Sequence, residues 1–350
     1  MKHRFAAPAL WGLAAAVAIG IGLAVRSANT LEFYSASWFD VFDTVTTVTG
    51  YAHNKAEWDR QMEALHADLL DAHRRYDIYN TYEGMTNLAS VNAQAGQSPV
   101  AVDAETFAFL CFAREMAATT EGACNLAAGA VLGLWHDARY AESPAPPQQA
   151  ALDAAMQHCD LNDLLLTPTE QGGTVAFADP ELQLDVGSLA KGYAVEQAAQ
   201  AAEARGLTSA LLDVGGNLRA IGSKPGGKHW TAGVRNPWGS DPAMVWALEL
   251  QPGQSLVISG DDQRFFEYEG VRYHHLIDLS TGQPARTANS VAVLCSDGGL
   301  ADGLSTGLFC LPPAQGMALA ESLDGVQALW MLPDGSMPAT SGWPEDLLAE

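Results

Sequence analysis

The sequence predicts an α+β fold of mixed sheets with packed helices, and three observations lead there. Val- and Thr-rich segments alternate with stretches of helical periodicity, but without the regular strand–helix–strand rhythm of a doubly wound parallel sheet. The chain has 350 residues, 48% of them hydrophobic and 17% charged, enough for one large domain or two intimate subdomains with a full core. No internal repeat or long low-complexity tract occurs.

The N-terminus stands apart. Lys2 and Arg4 precede an uncharged run from Phe5 to Val25. About 20 apolar residues span a bilayer, so residues 1–27 read as a signal peptide or membrane anchor. The expectation is an exported protein on the periplasmic side of the inner membrane, anchored or released by cleavage. Residues 28–37 read as a spacer, and the tail is expected over 336–350. Between them Phe42–Thr49 reads as a strand. Trp58, Met62, Leu65, Leu69 and Tyr76 recur at helical spacing over Lys55–Tyr76. Asp103 is a candidate N-cap for a second helix carrying Phe107, Leu110 and Met116, with Gly122 at its end. Residues 137–149 read as a surface excursion, followed by a helix over Pro147–His158. Leu189–Arg205 is expected to be helical, closed by Gly206. Strands are expected at 209–214, 230–234, 244–250, 255–258, 290–294 and 326–331, with a helix over Leu300–Phe309.

The formal net charge of -23 argues against nucleic acid and anionic headgroups as partners. An anionic ligand needs a local cluster of donors, or a metal, to bind such a chain. The 5 cysteines, Cys111, Cys124, Cys159, Cys295 and Cys310, show no CxxC spacing, so zinc-site and thioredoxin readings fail. Most of them suit small core positions.

Four constellations carry chemistry. In Asp185-Val186-Gly187-Ser188-Leu189-Ala190-Lys191-Gly192 a strand, a turn and a helix start place a lysine and backbone amides where phosphate oxygens bind. In Asp213-Val214-Gly215-Gly216-Asn217 bare backbone can approach a ligand, and its amides can form an anion nest. In His275-Leu276-Ile277-Asp278-Leu279-Ser280-Thr281-Gly282 a histidine can take a proton from a hydroxyl, although neighbouring His274 leaves the choice between the two open. In Ala301-Asp302-Gly303-Leu304-Ser305-Thr306 a carboxylate and a hydroxyl at i and i+4 share one helix face and suit Mg²⁺. Each has a plain structural alternative: a capped turn, a bulge, a hydrogen-bonded core histidine, a helix cap. Gly222–His229 approaches a P-loop but has His229 where a hydroxyl belongs, and reads as an exposed hairpin turn. There is no GxGxxG, HExxH or GxSxG.

In this order the four constellations resemble the ApbE family of FAD:protein FMN transferases. Phe42-Asp43-Thr44, Tyr76–Asn80 and Gly122-Ala123-Cys124-Asn125 resemble that family's earlier blocks, so the resemblance runs over roughly the 38–335 domain. It implies an ApbE-like, T-fold-like catalytic unit of two subdomains. It implies an enzyme that cleaves FAD, its substrate, with Mg²⁺ or Mn²⁺. FMN would then join a Thr or Ser of a target protein through a phosphoester, with release of AMP. The acceptor expected by analogy is a membrane redox complex subunit or an exported flavoprotein.

By resemblance Asp185 and Lys191 contact FAD; Ala123, Cys124 and Asn125 line the flavin cleft; Leu276 touches FAD through its backbone; and Gly215 and Gly216 help hold the phosphates. Ser188, Asp302 and Thr306, with Ser305 beside them, are the expected metal site, and His275 the expected base. Two departures from the family pattern stand out: Leu279 where proline is common, and Cys124-Asn125 where a small or apolar residue precedes Asp. A metal-dependent FAD pyrophosphatase and a non-catalytic exported flavin-binding protein are the competing readings.

Overall fold

The computed structural model describes residues 30–239 and 243–348. The expected export segment at residues 1–27 lies outside the described residues. Among those described, no helix is long and apolar enough to cross a membrane.

The fold is α+β, as expected. Its centre is a seven-stranded sheet in the order β1(Glu32–Val41), β2(Thr44–Ala52), β6(Ser209–Val214), β7(Asn217–Gly222), β10(Ser255–Gly260), β15(Ser290–Cys295), β16(Gln327–Met331). Every neighbouring pair is antiparallel. A three-stranded antiparallel sheet, with β5(Gly172–Phe177) between β3(Val100–Asp103) and β4(Leu164–Thr169), packs under helix α3(Ala104–Thr119). Strands β8(Trp230–Arg235) and β9(Met244–Leu250), β11(Phe265–Tyr268) and β12(Val271–His274), and β13(Ile277–Asp278) and β14(Gln283–Pro284) pair as hairpins.

Side chains alternate across a strand, and the central sheet uses both faces. In β15, Val291, Val293 and Cys295 enter a core shared with α3 and helix α7(Gly298–Cys310), whereas Ala292 and Leu294 enter the core beneath β8 and β9. Strand β16 divides in the same way, Ala328 and Trp330 against Leu329 and Met331. At the other end of the sheet, helices α1(Lys55–Tyr76) and α6(Ala190–Ala204) bury Trp58, Leu65, Leu69, Val195 and Ala199 against β2 and β6.

The expected helices form where their caps stand. Asn54 accepts the Glu57 N–H at the start of α1, and Asp103 accepts that of Thr106 at the start of α3. Helix α3 stops at Thr119, and Gly122 follows at positive φ. Four short or unexpected helices complete the set: α2(Leu88–Asn92), α4(Gly129–Tyr140), α5(Gln149–Ala155) and α8(Pro313–Ser322).

Three expectations need correction. Residues 32–37 are not spacer but the first part of β1, whose sparsely apolar sequence suits an edge strand with much of its length exposed. Phe42 and Asp43 are not strand residues; both have positive φ and form the tight turn between β1 and β2. Residues 137–140 belong to α4 rather than to a surface excursion, and the helix after it is α5, continued by a short 3₁₀ turn over Met156–His158. The beginning of the tail is also tied down: Thr340 donates its N–H to Ala328, and the Asp346 carboxylate accepts the Ala247 N–H. The segment around Gly226 and Gly227 is a turn closed by Lys224 and Lys228, as expected.

Candidate active site

A cavity of about 520 Å³ opens where the start of α6, the middle of α7, α4, the end of β10 and the His275–Ile277 segment converge. It gathers Ala123, Cys124, Asn125, Asp185, Ser188, Lys191, Gly215, His275, Leu276, Asp302 and Thr306. Gly216 and Ser305 lie off its wall.

The floor is built by two helices. Leu189 offers no side-chain cap to α6, and the Gly192 N–H donates instead to Oδ2 of Asp302, on α7, at 2.7 Å. Glycine is required at 192, because a Cβ there would run into the Gly298 carbonyl oxygen and Asp302 Cβ. Lys191 Nζ stands 3.9 Å from Asp302 Oδ1. Asp302 is 3% exposed, and burial raises its carboxyl above the usual range, partly offset by Lys191 and the Gly192 N–H. Its Oδ1 therefore has only a loose cationic partner on the cavity side.

Ser259, at the end of β10, joins the hydroxyls of Ser305 (2.8 Å) and Thr306 (3.4 Å). Ser305 is fully buried and donates to the Asp302 carbonyl, so it braces the helix turn rather than reaching the cavity. Among the described residues no hydrogen bond ends on the Ser188 carbonyl. Nor is there, among the described residues, a group of three or more His, Cys, Asp or Glu that could cage a metal. One buried carboxylate, a hydroxyl and a spare carbonyl instead fit a hard divalent cation that takes few protein oxygens and shares the rest with phosphate.

The two adjacent histidines separate cleanly. Nε2 of His274 bonds the Ala285 carbonyl at 2.8 Å and Nδ1 accepts the Leu276 N–H, so its ring is spent on the turn. His275 faces the cavity, and its buried Nδ1 has no partner. Burial, then the charges of Arg264, His274, Arg139 and Lys191, push its pKa from 6.5 to about 3, so the ring is neutral. Asp278 takes the Ser280 N–H and hydroxyl and shapes the turn without the family's proline, while Leu279 reaches the cavity.

Several expected roles meet groups already engaged. The Gly215 N–H donates to Val45 and the Gly216 N–H to Asp213 Oδ1, so these amides do not form an open anion nest. The Leu276 N–H and carbonyl bond His274 Nδ1 and the Ala285 N–H, which leaves its side chain as the cavity-facing part. Asn125 spans the Cys159 carbonyl and the Ala127 N–H. Cys124 Sγ lies 3.4 Å from Ser188 Oγ, and burial lifts its thiol to about 12, so it acts as packing rather than as a nucleophile. All five cysteines are free thiols. Asp185, raised by burial, accepts the Gly187 N–H at 2.8 Å.

Sequence reading missed the cations that complete the wall. Arg139 comes from α4 and Arg264 from the loop before β11, joining Lys191. Arg139 Nε is buried without a partner, and Arg264 is exposed with no ion pair among the described residues. Tyr79 and His136 stack at 4.8 Å on the rim. No local pattern marks Arg139 or Arg264; only an unbalanced arginine in so acidic a chain hints at them.

A cavity that sets Lys191, Arg139 and Arg264 among the carboxylates Asp43, Asp77, Asp185 and Asp302, with a neutral histidine, is suited to a dinucleotide pyrophosphate bound together with a divalent cation. The ApbE family's sequence model matches residues 42–330. The chain belongs to the ApbE family. The FAD:protein FMN transferase of Treponema pallidum is 38% identical over 269 residues, 73% of each chain. The ApbE protein of Thermotoga maritima superposes with a TM-score of 0.79 at 27% identity, covering 89% of this chain and 97% of that one. The flavin transferase ApbE from Vibrio cholerae gives 0.76 at 26% identity, covering 89% and 98%. The ApbE fold is thus common to all three, and it brings together most of the residues that the family resemblance had singled out.

Proposed function

We propose that the chain is a divalent-metal-dependent FAD:protein FMN transferase, with Mg²⁺ the expected ion. The observation that carries this reading is the joint placement of Asp302, Lys191 and neutral His275 on one cavity, in a chain whose relatives bear that activity. The acceptor Thr or Ser oxygen attacks the phosphorus on the FMN side of FAD. The phosphorus–oxygen bond to the AMP half breaks, AMP leaves, and the hydroxyl proton passes to His275.

The chain's own groups divide the work. Lys191, Arg139 and Arg264 hold the pyrophosphate against the repulsion of the acidic surface. Asp302, Thr306 and the Ser188 carbonyl would hold the metal, with Ser305 and Ser259 bracing them. When bound there, the ion supplies Lewis-acid stabilisation of the charge that builds on the leaving phosphate. His275 lines the cavity in the neutral form, and the negative charge of bound phosphates would raise the basicity that burial and the nearby cations lower. Leu276, Ile277 and Trp135 supply an apolar part of the cavity wall.

Export is part of the proposal. The basic flank and apolar run at residues 1–27 support a catalytic domain on the periplasmic side, tethered or released. Its acceptor would then be a membrane redox complex subunit or an exported flavoprotein. Asp302→Ala tests the metal reading. Loss of transfer by roughly a thousandfold, with an unchanged circular dichroism spectrum, is the expected result. Full activity in that variant would remove the metal site.

A further inference from the structure

Helices α6 and α7 meet glycine to glycine, and the contact is reciprocal. A Cβ on Gly192 would strike the Gly298 carbonyl oxygen, and a Cβ on Gly298 would stand 3.1 Å from the Gly192 carbonyl oxygen. One helical turn beyond each glycine stands an acid: Glu196 after Gly192, Asp302 after Gly298. Each acid binds the other helix's glycine. Asp302 Oδ2 takes the Gly192 N–H at 2.7 Å, and Glu196 Oε2 takes the Gly298 N–H at 2.9 Å.

The two halves differ in what lies behind them. Asp302 keeps Oδ1 toward the cavity. Glu196 is sealed: Arg219, on β7, donates to both of its oxygens, at 2.9 and 3.1 Å, and Gln200 adds a third side-chain donor. Glu196 and Arg219 are 2% and 4% exposed. A buried ion pair of this kind contributes little net stability, because desolvating both charges offsets their attraction. Its value lies in geometry, since an ionised pair accepts few alternative arrangements.

We infer that Glu196 and Arg219 are positioning residues that lock the start of α7 on α6 and so aim the Asp302 carboxylate at the metal position. The inference rests on the reading of Asp302 as a metal ligand. Neither residue of the pair lines the cavity. The pair sets the distance between Lys191 and Asp302 by fixing the glycine crossing, which lies next to Lys191 and one turn before Asp302.

The test is binding of Mn²⁺ alone to the full chain, followed by electron paramagnetic resonance, with thermal unfolding in parallel. In Glu196→Leu/Arg219→Leu the charges go together and volume is largely kept. The melting temperature should stay near that of the wild type while Mn²⁺ affinity falls about tenfold, the low end for lost support behind a ligand. Glu196→Gln, which retains an acceptor for the Gly298 N–H, should recover most of that affinity. If the double variant does not fold, Gly298→Ala gives the same readout, since its Cβ forces the crossing open by a few tenths of an ångström. A folded variant with reduced thermal stability but wild-type Mn²⁺ affinity would overturn the inference. Asp302→Ala separates the two ideas. If it still binds Mn²⁺ normally, the metal reading fails; if it loses binding while the Glu196 and Gly298 variants do not, only the positioning role fails.

Discussion

His274 and His275 are adjacent and chemically identical, yet only one can serve the reaction. The ring of His274 is fixed by the Ala285 carbonyl and the Leu276 N–H, whereas His275 lines the cavity and its buried Nδ1 has no partner. Burial and the surrounding cations favour its neutral form down to about pH 3. A lowered folded value means that no proton need be lost from His275 as pH rises through the usual histidine range. The kcat/KM profile should therefore lack an acid limb near pH 6.5 that belongs to this residue. An acid limb near 6.5 in the wild type that disappears in His275→Ala would contradict the buried-ring geometry. His275→Ala itself should lower transfer by roughly 10²–10⁴-fold. FAD affinity, measured by flavin fluorescence, should change far less, because the phosphates are held by other groups.

At the scale of elements, function depends on how closely α6 and α7 approach. Gly192→Ala places a methyl where the Gly298 carbonyl and Asp302 Cβ already stand. The helices must separate, at a cost of about 1–3 kcal/mol for an overpacked contact. The Gly192 N–H bond to Asp302 lengthens with them. Reduced thermal stability together with a higher Mg²⁺ requirement for transfer is the expected pair of effects. Normal values of both would mean that the glycine is not needed for this crossing.

The legible parts of the sequence were those set locally. The face of α1, the Asp103 cap and the turn at Gly187–Leu189 that leads into α6 follow from spacing within a few residues, whereas the strand expected before that turn is reduced to an isolated bridge at Gln183. Strand β1 was not legible. Glu32, Phe33, Tyr34 and Ser35 mix polar and aromatic residues without a clear apolar period, as an exposed edge allows. Strand β3 has only four residues, and β4 and β5 carry Thr, Pro or Gly, so their pairing depends on the helix above them. The role expected of the Gly215 and Gly216 amides failed for a similar reason. The Val45 carbonyl comes within reach of the Gly215 N–H only when β2 lies beside β6, whereas the Asp213 carboxylate takes the Gly216 N–H from three residues away within the β6–β7 turn. Arg139 and Arg264 are 125 residues apart in the chain (264 − 139), and only tertiary structure joins them.

Over the whole molecule, a formal charge of -23 surrounds a site lined by Lys191, Arg139 and Arg264. The cations must overcome a repulsive field to hold a pyrophosphate, so their contribution should weaken as salt screens it. Arg264→Ala should raise the Kd for FAD roughly tenfold at low ionic strength, about 1.4 kcal/mol, and flatten its salt dependence. A Kd insensitive to both the mutation and salt would place the phosphates elsewhere.

The most direct measurement is transfer itself. The domain from residue 30 onward, incubated with FAD, Mg²⁺ and a threonine-bearing acceptor protein, should release AMP and leave flavin fluorescence covalently on the acceptor. EDTA should abolish both signals. Release of AMP with only free FMN would contradict the transferase and indicate a pyrophosphatase. FAD bound without AMP under any metal condition would contradict catalysis altogether.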